Sequence, residues 1–317
     1  MNKINSINVQ LLGGLGNQLF GLHFGVAVSS QLKSELQISD SMIKLGSNKS
    51  RVLQILQFEF NSSDVFYYIH KKKYFSALGS NPLLRKIQWK LQLRRTRFID
   101  EEKMRAAHFK FRLGQSFSGY FQDWVFADYL FENGKRLMPR NISSYAQELV
   151  NLLKQQRIIC IHLRLGDYLD FPDIFTILPE DYYLNAIKFF ERDEEFKLWL
   201  FVEDESQAVL FYPNLLVRAD RTFDQKSKLT DVESFIVLAN SSNLITSNST
   251  YSLWAAWFVN KDNGIAVVPK QLGINGISDE LSDPRWHRYN FVTKIVEEST
   301  KSTDIYKAKR VEFLDKF

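Results

Sequence analysis

His162, Arg164 and Asp167 fall within IHLRLGDY (161–168), directly after the apolar run Ile158-Ile159-Cys160-Ile161. Polar and charged groups closing so apolar a stretch must find partners or stay wet, and an imidazole, a guanidinium and a carboxylate gathered there suit an anion. Arg164 can grip a phosphate through two N–H groups, and Gly166 permits a tight turn. Asp167 either fixes the arginine or serves as an acid–base group, with Asp170 and Asp173 as further candidates in the same loop. In a loop by themselves these residue types also describe a solvated turn. Their place at the end of a buried strand is what points to a site.

Three further stretches have chemical content. Gly13-Gly14-Leu15-Gly16-Asn17-Gln18 is not a P-loop, because no GxxxxGK[ST] is present, and Leu19 occupies the third glycine of a dinucleotide fingerprint. The turn still offers close backbone approach and free N–H groups at a helix start, which suit a phosphate or a sugar; a tight structural turn explains it as well. Ser247-Asn248-Ser249-Thr250-Tyr251-Ser252 places hydroxyls at a helix N-terminus, as an anion site or an N-cap would. Glu203-Asp204-Glu205 ends the run LWLFV, where a carboxylate can accept from the N1 and N2 donors of guanine or sit in an exposed acidic loop. No DxD, HExxH or Cys/His cluster indicates a metal, and GxSxG is absent.

These groups need a scaffold that gathers loops. Ile7 to Leu12, the glycine turn and LFGLHFGVAVSSQL read as strand, turn, helix. A second such unit starts near residue 157, with RIICIHLR as a buried strand, PEDYYLNAIKFFERD as a helix opened by Pro179, and LWLFVED as the next strand. NLLVRAD continues the alternation, DVESFIVLANS reads as a helix, NLITSNS as a strand, TYSLWAAWFVNK as a helix and GIAVVPKQ as a last strand. Such alternation predicts α/β architecture, parallel sheets flanked by helices with ligands at the carboxyl ends of the strands. Residues 139–156, where Pro139 and NISS precede a helix, mark a boundary, so domains are expected over 1–150 and 151–317. Residues 40–110 show fewer clear strands and more basic and aromatic side chains, as an acceptor-facing insertion would, and the tail after Pro284 reads as charged and peripheral.

The 317-residue chain is 45 % hydrophobic and 24 % charged, ordinary globular values at a length that suits two domains. Its single cysteine, Cys160, excludes an intramolecular disulfide and reads as a packed thiol in a reducing, cytoplasmic setting. The chain opens without an apolar h-region, and no run approaches the ~18 apolar residues that span a bilayer, so neither secretion nor membrane crossing is expected. A net charge of +5 and a pI near 9.0 bias partners toward anions. Lys71-Lys72-Lys73 is one basic run. Residues 80–98 form another, with Leu84, Ile87 and Leu91 at helical spacing beside Arg85, Lys86, Arg94 and Arg95. That helix either lies on an anionic bilayer or packs its stripe on the core. Nucleic acid is not expected, since no RRM, KH or helix-turn-helix signature is present.

In order, GGLGNQLFGLHFG, GYFQDWVFADYL, IHLRLGDY, LFVEDE and DVESFIVLANSSNLITSNSTYSLWAAWF resemble the α-1,2-fucosyltransferases of glycosyltransferase family 11, over most of the chain. The resemblance implies a GT-B-like enzyme, two Rossmann-like domains facing a cleft, the first on the acceptor side and the second binding a GDP-sugar. It implies inverting transfer of L-fucose from GDP-β-L-fucose to the 2-OH of a galactoside, with no metal or other cofactor. Carried over by position, Arg164 binds the diphosphate, His162, Glu203 and Asp204 serve the nucleotide, and Asn248, Ser249 and Thr250 serve the donor, the last two through phosphate. Gly14 and Gly16 belong to the donor side, and Asn17 lies close to the reacting sugar. Asp167 is the expected base by its place in the motif, or else orients Arg164. A departing GDP develops negative charge that, without a metal, a fixed arginine and helix N–H groups must stabilise.

The implied acceptor is a galactose-ended, lipid-linked precursor of a bacterial surface polysaccharide such as an O-antigen, reached at the inner face of the cytoplasmic membrane. Three departures stand out: Leu165 replaces the second arginine of HxRRGD, Val202-Glu203-Asp204 replaces Ser-Asp-Asp, and Ala239-Asn240-Ser241 replaces Cys-Lys-His. They leave a related donor such as GDP-colitose, or a catalytically silent GDP-sugar-binding relative, as alternatives.

Overall fold

The computed structural model describes residues 5–40, 43, 52–62, 67–70, 98–106, 108–173, 175–191, 195–271, 281–300 and 304–317. The chain forms two compact units, Met1–Met138 with Asp304–Phe317, and Pro139–Thr303.

The first unit contains β1 (Ser6–Gln10), β2 (Glu35–Ser39), β3 (Phe58–Phe60), β4 (Tyr67–His70), β5 (Phe98–Asp100) and β6 (Ser116–Ser118). Its main sheet runs β4-β2-β1-β6-β5 with every pairing parallel. β3 pairs separately with β7 (Leu137–Pro139), the strand at which this unit ends. α1 (Leu15–Gln31) follows β1 and is apolar nearly all round, as a helix buried on most of its faces must be. It packs on β1, on β2 and on α2 (Trp124–Glu132). Phe24 of α1 stacks on Phe121 with ring centroids 4.0 Å apart and meets Phe117 and Phe126 edge-on.

The second unit contains β8 (Ile158–His162), β9 (Lys197–Phe201), β10 (Arg221–Phe223), β11 (Asn243–Ile245), β12 (Ile265–Pro269), β13 (His287–Asn290) and β14 (Ile295–Glu297). Its sheet runs β10-β9-β8-β11-β12-β13-β14, the first six strands parallel and β14 antiparallel at the edge. Counted within the unit, the parallel strands follow the 3-2-1-4-5-6 order of a doubly wound sheet. β8 lies at the centre between β9 and β11, which is why all five of its residues are buried and its sequence is a continuous apolar run. Flanking helices include α3 (Ser144–Gln155), α4 (Glu180–Phe190), α5 (Asp231–Ala239) and α6 (Thr250–Lys261). Thr230 and Glu233 close a capping box on α5, and the second Glu233 oxygen accepts from Ser143 N at 2.8 Å, tying the start of α3 to α5.

Each unit by itself is the parallel α/β layer expected from the alternation of strands and helices. The boundary needs correction: it falls at Met138/Pro139 and not at 150, and residues 304–317 belong to the first unit. α3 packs on α5, so it is part of the second unit from its first turn. The C-terminal helix Asp304–Leu314 sets Phe313 against Phe111, Phe126 and Tyr129, all in the first unit. Nor is the segment after Pro284 peripheral throughout, because β13 joins the sheet with Tyr289 buried. Its charges are accommodated in pairs, Arg285 with Asp283, and Arg288 and Lys270 with Glu297. NLLVRAD is mostly helix (Pro213–Arg218), and the strand follows it as β10.

Among the described residues, no helix is long and apolar enough to cross a membrane. Both basic runs, Lys71–Lys73 and the expected helix within 80–98, lie outside the described residues almost entirely.

Candidate active site

In an open parallel sheet, the loops on either side of the strand where the order reverses diverge and leave a crevice at the carboxyl ends. In the second unit that strand is β8, and the crevice lies between its end and that of β11. His162 is the last residue of β8, and Thr246 to Ser249 follow β11. The two loops are joined directly: His162 Nδ1 is hydrogen-bonded to Ser247 Oγ at 3.0 Å, and its ring lies 5.0 Å from that of Tyr251. The Ser247 hydroxyl is also within 3.2 Å of Ser249 Oγ and 3.0 Å of Ser252 Oγ. Ser249 caps α6 by accepting from Ser252 N at 3.3 Å, which leaves the first N–H groups of this 12-residue helix directed to the crevice end.

Arg164 stands two residues beyond β8. Its Nη1 donates to Glu203 Oε1 at 2.5 Å and its Nη2 to Asp167 Oδ1 at 2.6 Å, while its guanidinium carbon lies 5.3 Å from the Tyr168 ring centroid. Glu203 comes from the end of the neighbouring strand β9, and its second oxygen accepts from Leu165 N at 3.0 Å. Tyr168 stacks on Phe175 and donates to the Asn248 carbonyl at 3.2 Å, linking this loop to the one after β11. Arg164, His162 and the Ser247–Ser249 loop are thus fixed in one place by groups from three adjacent strands.

The electrostatics follow from burial. His162 is pushed down to about 3, first by burial and then by the charge of Arg164, so the ring is neutral at physiological pH. Burial alone would lower Arg164, but the carboxylates of Glu203 and Asp167 outweigh it and raise its pKa, so it stays cationic. The fixed positive charge of the site is therefore Arg164, supplemented by the α6 N-terminus. Burial pushes the Cys160 thiol up, consistent with a packed side chain and not a nucleophile.

In the first unit the corresponding reversal is between β1 and β6. Gly13 there has φ +67°, and a Cβ on it would lie 2.6 Å from Asn17 Nδ2, so glycine is required for both the turn and the side chain beside it. Gly14 is the N-cap residue of α1 with open space where a side chain would be, and Gly16 is buried in the first turn. Asn17 Oδ1 accepts from Gln122 Nε2 at 2.9 Å, a residue just past β6.

The expected residues therefore divide into groups. His162, Arg164, Asp167, Glu203, Ser249 and Thr250 gather at the β8/β11 crevice, and Gly14, Gly16 and Asn17 at the end of β1 in the other unit. Asp204 is occupied elsewhere, because its carboxylate caps the helix Glu205–Phe211 by accepting from Ser206 N and Oγ. The Asn248 side chain donates to Thr176 O at 2.8 Å, which anchors its loop. Leu165 is fully buried in the apolar cluster with Ile161, Leu163 and Leu200, so the missing second arginine is replaced by a core residue. Ser247, Tyr168 and Gln122 belong to these sites as well. Ser247 and Tyr168 lie inside stretches whose residue types suggest chemistry and Gln122 does not, but each has its partner 80 or more positions away and no local pattern signals it.

The profile described as Glycosyl transferase family 11 matches residues 6–283. The chain is 26 % identical over 271 residues to an α-1,2-colitosyltransferase of Escherichia coli, covering 82 % of this chain and 90 % of that protein. It is 24 % identical over 313 residues to the O-antigen biosynthesis glycosyltransferase WbnK of Escherichia coli, covering 87 % and 98 %. Among solved structures, the fucosyltransferase NodZ from Bradyrhizobium is similar at a TM-score of 0.46 and 14 % identity, over 81 % of this chain and 94 % of that one. With the family match running through both units, from β1 to the residues before β13, the chain belongs to glycosyl transferase family 11 and is a glycosyltransferase.

Proposed function

We propose that this glycosyltransferase moves a 6-deoxy sugar from a GDP-sugar to the 2-OH of a galactoside in α-1,2 linkage with inversion, with GDP-β-L-fucose as the donor and no metal required. The observation that carries the reading is Arg164, held at the switch point of the second unit beside the N-terminus of α6. The acceptor oxygen attacks C1 on the face opposite GDP, the C1–O bond breaks with its electron pair passing to the diphosphate, and the hydroxyl proton leaves to a carboxylate. Arg164 and the α6 N–H groups face the developing phosphate charge, which is where electrostatic stabilisation is most effective. In this reading His162 and the Ser249–Thr250 turn line the donor site, and Asp167, paired with Arg164 on the diphosphate side, is not placed to take the acceptor's proton. Asn17 with Gly14 and Gly16 serves the sugar from the first unit, which takes the acceptor.

A second donor, GDP-colitose, is favoured by the name of the α-1,2-colitosyltransferase relative. The name of the second relative, an O-antigen biosynthesis glycosyltransferase, favours an O-antigen precursor as acceptor; in this reading the precursor is lipid-linked and met at the inner face of the cytoplasmic membrane. The test offers GDP-fucose and GDP-colitose separately, with galactosyl-β-1,3-N-acetylhexosaminide acceptors and EDTA present. An α-1,2-linked product from GDP-fucose at the higher kcat/KM is expected. Product from GDP-colitose alone would move the donor assignment, and GDP binding without product from either would make the chain a silent GDP-sugar binder.

A further inference from the structure

Arg164 faces two carboxylates, so the trio Arg164, Glu203 and Asp167 carries a net charge of −1 when all are ionised. This is a poor starting point for holding a diphosphate. A guanidinium offers two two-pronged faces, end-on through Nη1 and Nη2 and side-on through Nε and Nη2, and both use Nη2. Nη2 is the atom that donates to Asp167, at 2.6 Å, and the end-on face also uses Nη1, which donates to Glu203. Nε is buried and makes no hydrogen bond.

The two carboxylates are held differently. Glu203 reaches across from β9 and is bound through both oxygens, Oε1 to Arg164 and Oε2 to Leu165 N. Its Oε1 also lies 3.2 Å from the position a Cβ would take on Gly166, where φ is +29°. The side chain of Leu165 is locked in the core, so the N–H that Glu203 accepts from does not move. Asp167 lies on the short helix Gly166–Asp170 beyond the strand, three residues from the arginine it pairs with.

We infer that the two acids have opposite roles: Glu203 is a positioning residue that keeps Arg164 aimed at the crevice, and Asp167 is a latch that an incoming diphosphate displaces from Nη2. The inference rests on the proposed GDP-sugar reading for the nature of the anion, but the latch concerns only a diphosphate and the guanidinium. Binding then exchanges a carboxylate for a phosphate on the same N–H group and leaves the Asp167 oxygen released.

The experiment measures dissociation constants of the full chain for GDP and for inorganic pyrophosphate by calorimetry, in wild type, D167N, D167A and E203Q. Removing the competing charge in D167N or D167A should tighten both ligands roughly fivefold, the size of a partly exposed ion pair. E203Q, which leaves Arg164 and the Leu165 N–H short of an acceptor, should weaken both. If charge alone mattered, all three variants would tighten equally, and that result overturns the assignment of roles. Unchanged or weaker binding in both Asp167 variants overturns the latch. Pyrophosphate that follows the expected order while GDP does not bind would support the latch and overturn the guanosine reading. Absence of binding by either ligand in wild type overturns both.

Discussion

At the residue scale the site depends on neutral and charged groups being kept apart by burial. His162 cannot share the positive charge of Arg164, because in its buried place the imidazolium is disfavoured and the pKa falls from 6.5 to about 3. His23, buried in α1 and bonded to the Leu19 carbonyl, falls to about 4 for the same reason of burial. A folded-state value below the unfolded one means that the unfolded chain takes up protons the folded chain refuses. The two histidines therefore contribute stability that is present above pH 6.5 and is lost as pH falls through 6.5 toward 4 and 3. The H162N variant, whose amide can still bond Ser247 but does not titrate in this range, should lose less stability than wild type between pH 6.5 and 4, as read from urea midpoints. An imidazole resonance of His162 titrating near 6.5 in the folded protein would contradict this. The pairing of Glu203 with Arg164 is not legible at this scale. The Glu203 carboxylate at a strand end reads as an acceptor for guanine, but Arg164, its actual partner, is 39 positions away.

At the element scale, the units that place the site were readable because their signals are local. The run Ile158–Ile161 is long enough for a strand and apolar on both faces, as only a central parallel strand can be, and a glycine turn followed by apolar residues marks the β1–α1 corner. β13 was hidden, since His287-Arg288-Tyr289-Asn290 shows one apolar residue in four, and its charges find Glu297 only once β14 folds back. In the NLLVRAD segment Pro213 opens a helix before the strand β10 begins. The corner after β1 carries a specific expectation. In G13A the methyl group meets Asn17 Nδ2 and the backbone must hold φ +67°, so the variant should lose about 1–2 kcal/mol in chemical denaturation. Transfer should fall further than stability explains, because Asn17 and its contact with Gln122 are pushed aside. Full activity in G13A would separate this turn from the reaction.

At the scale of the whole molecule, each unit places its candidate residues where a doubly wound sheet reverses, Gly13 to Asn17 and Gln122 after β1 and β6, and His162, Arg164 and Ser247 to Thr250 after β8 and β11. That both units follow one rule is why residue types at strand ends carried so much of the functional reading. The division into units was less legible, because the return of the C-terminal helix to the first unit is written in Phe313 and its aromatic neighbours at 111, 126 and 129, far apart in sequence.

In the proposed function one fixed arginine at the β8/β11 switch point, Arg164, holds the diphosphate of the donor. GDP binding to the full chain in EDTA, comparing wild type with R164A and R164K, tests it most directly. Losing a bidentate, charge-assisted grip on phosphate should weaken GDP by about 100-fold in R164A, and R164K should restore only a part, since lysine offers a point charge without the fork. Equal GDP affinity in wild type and a folded R164A would contradict the account.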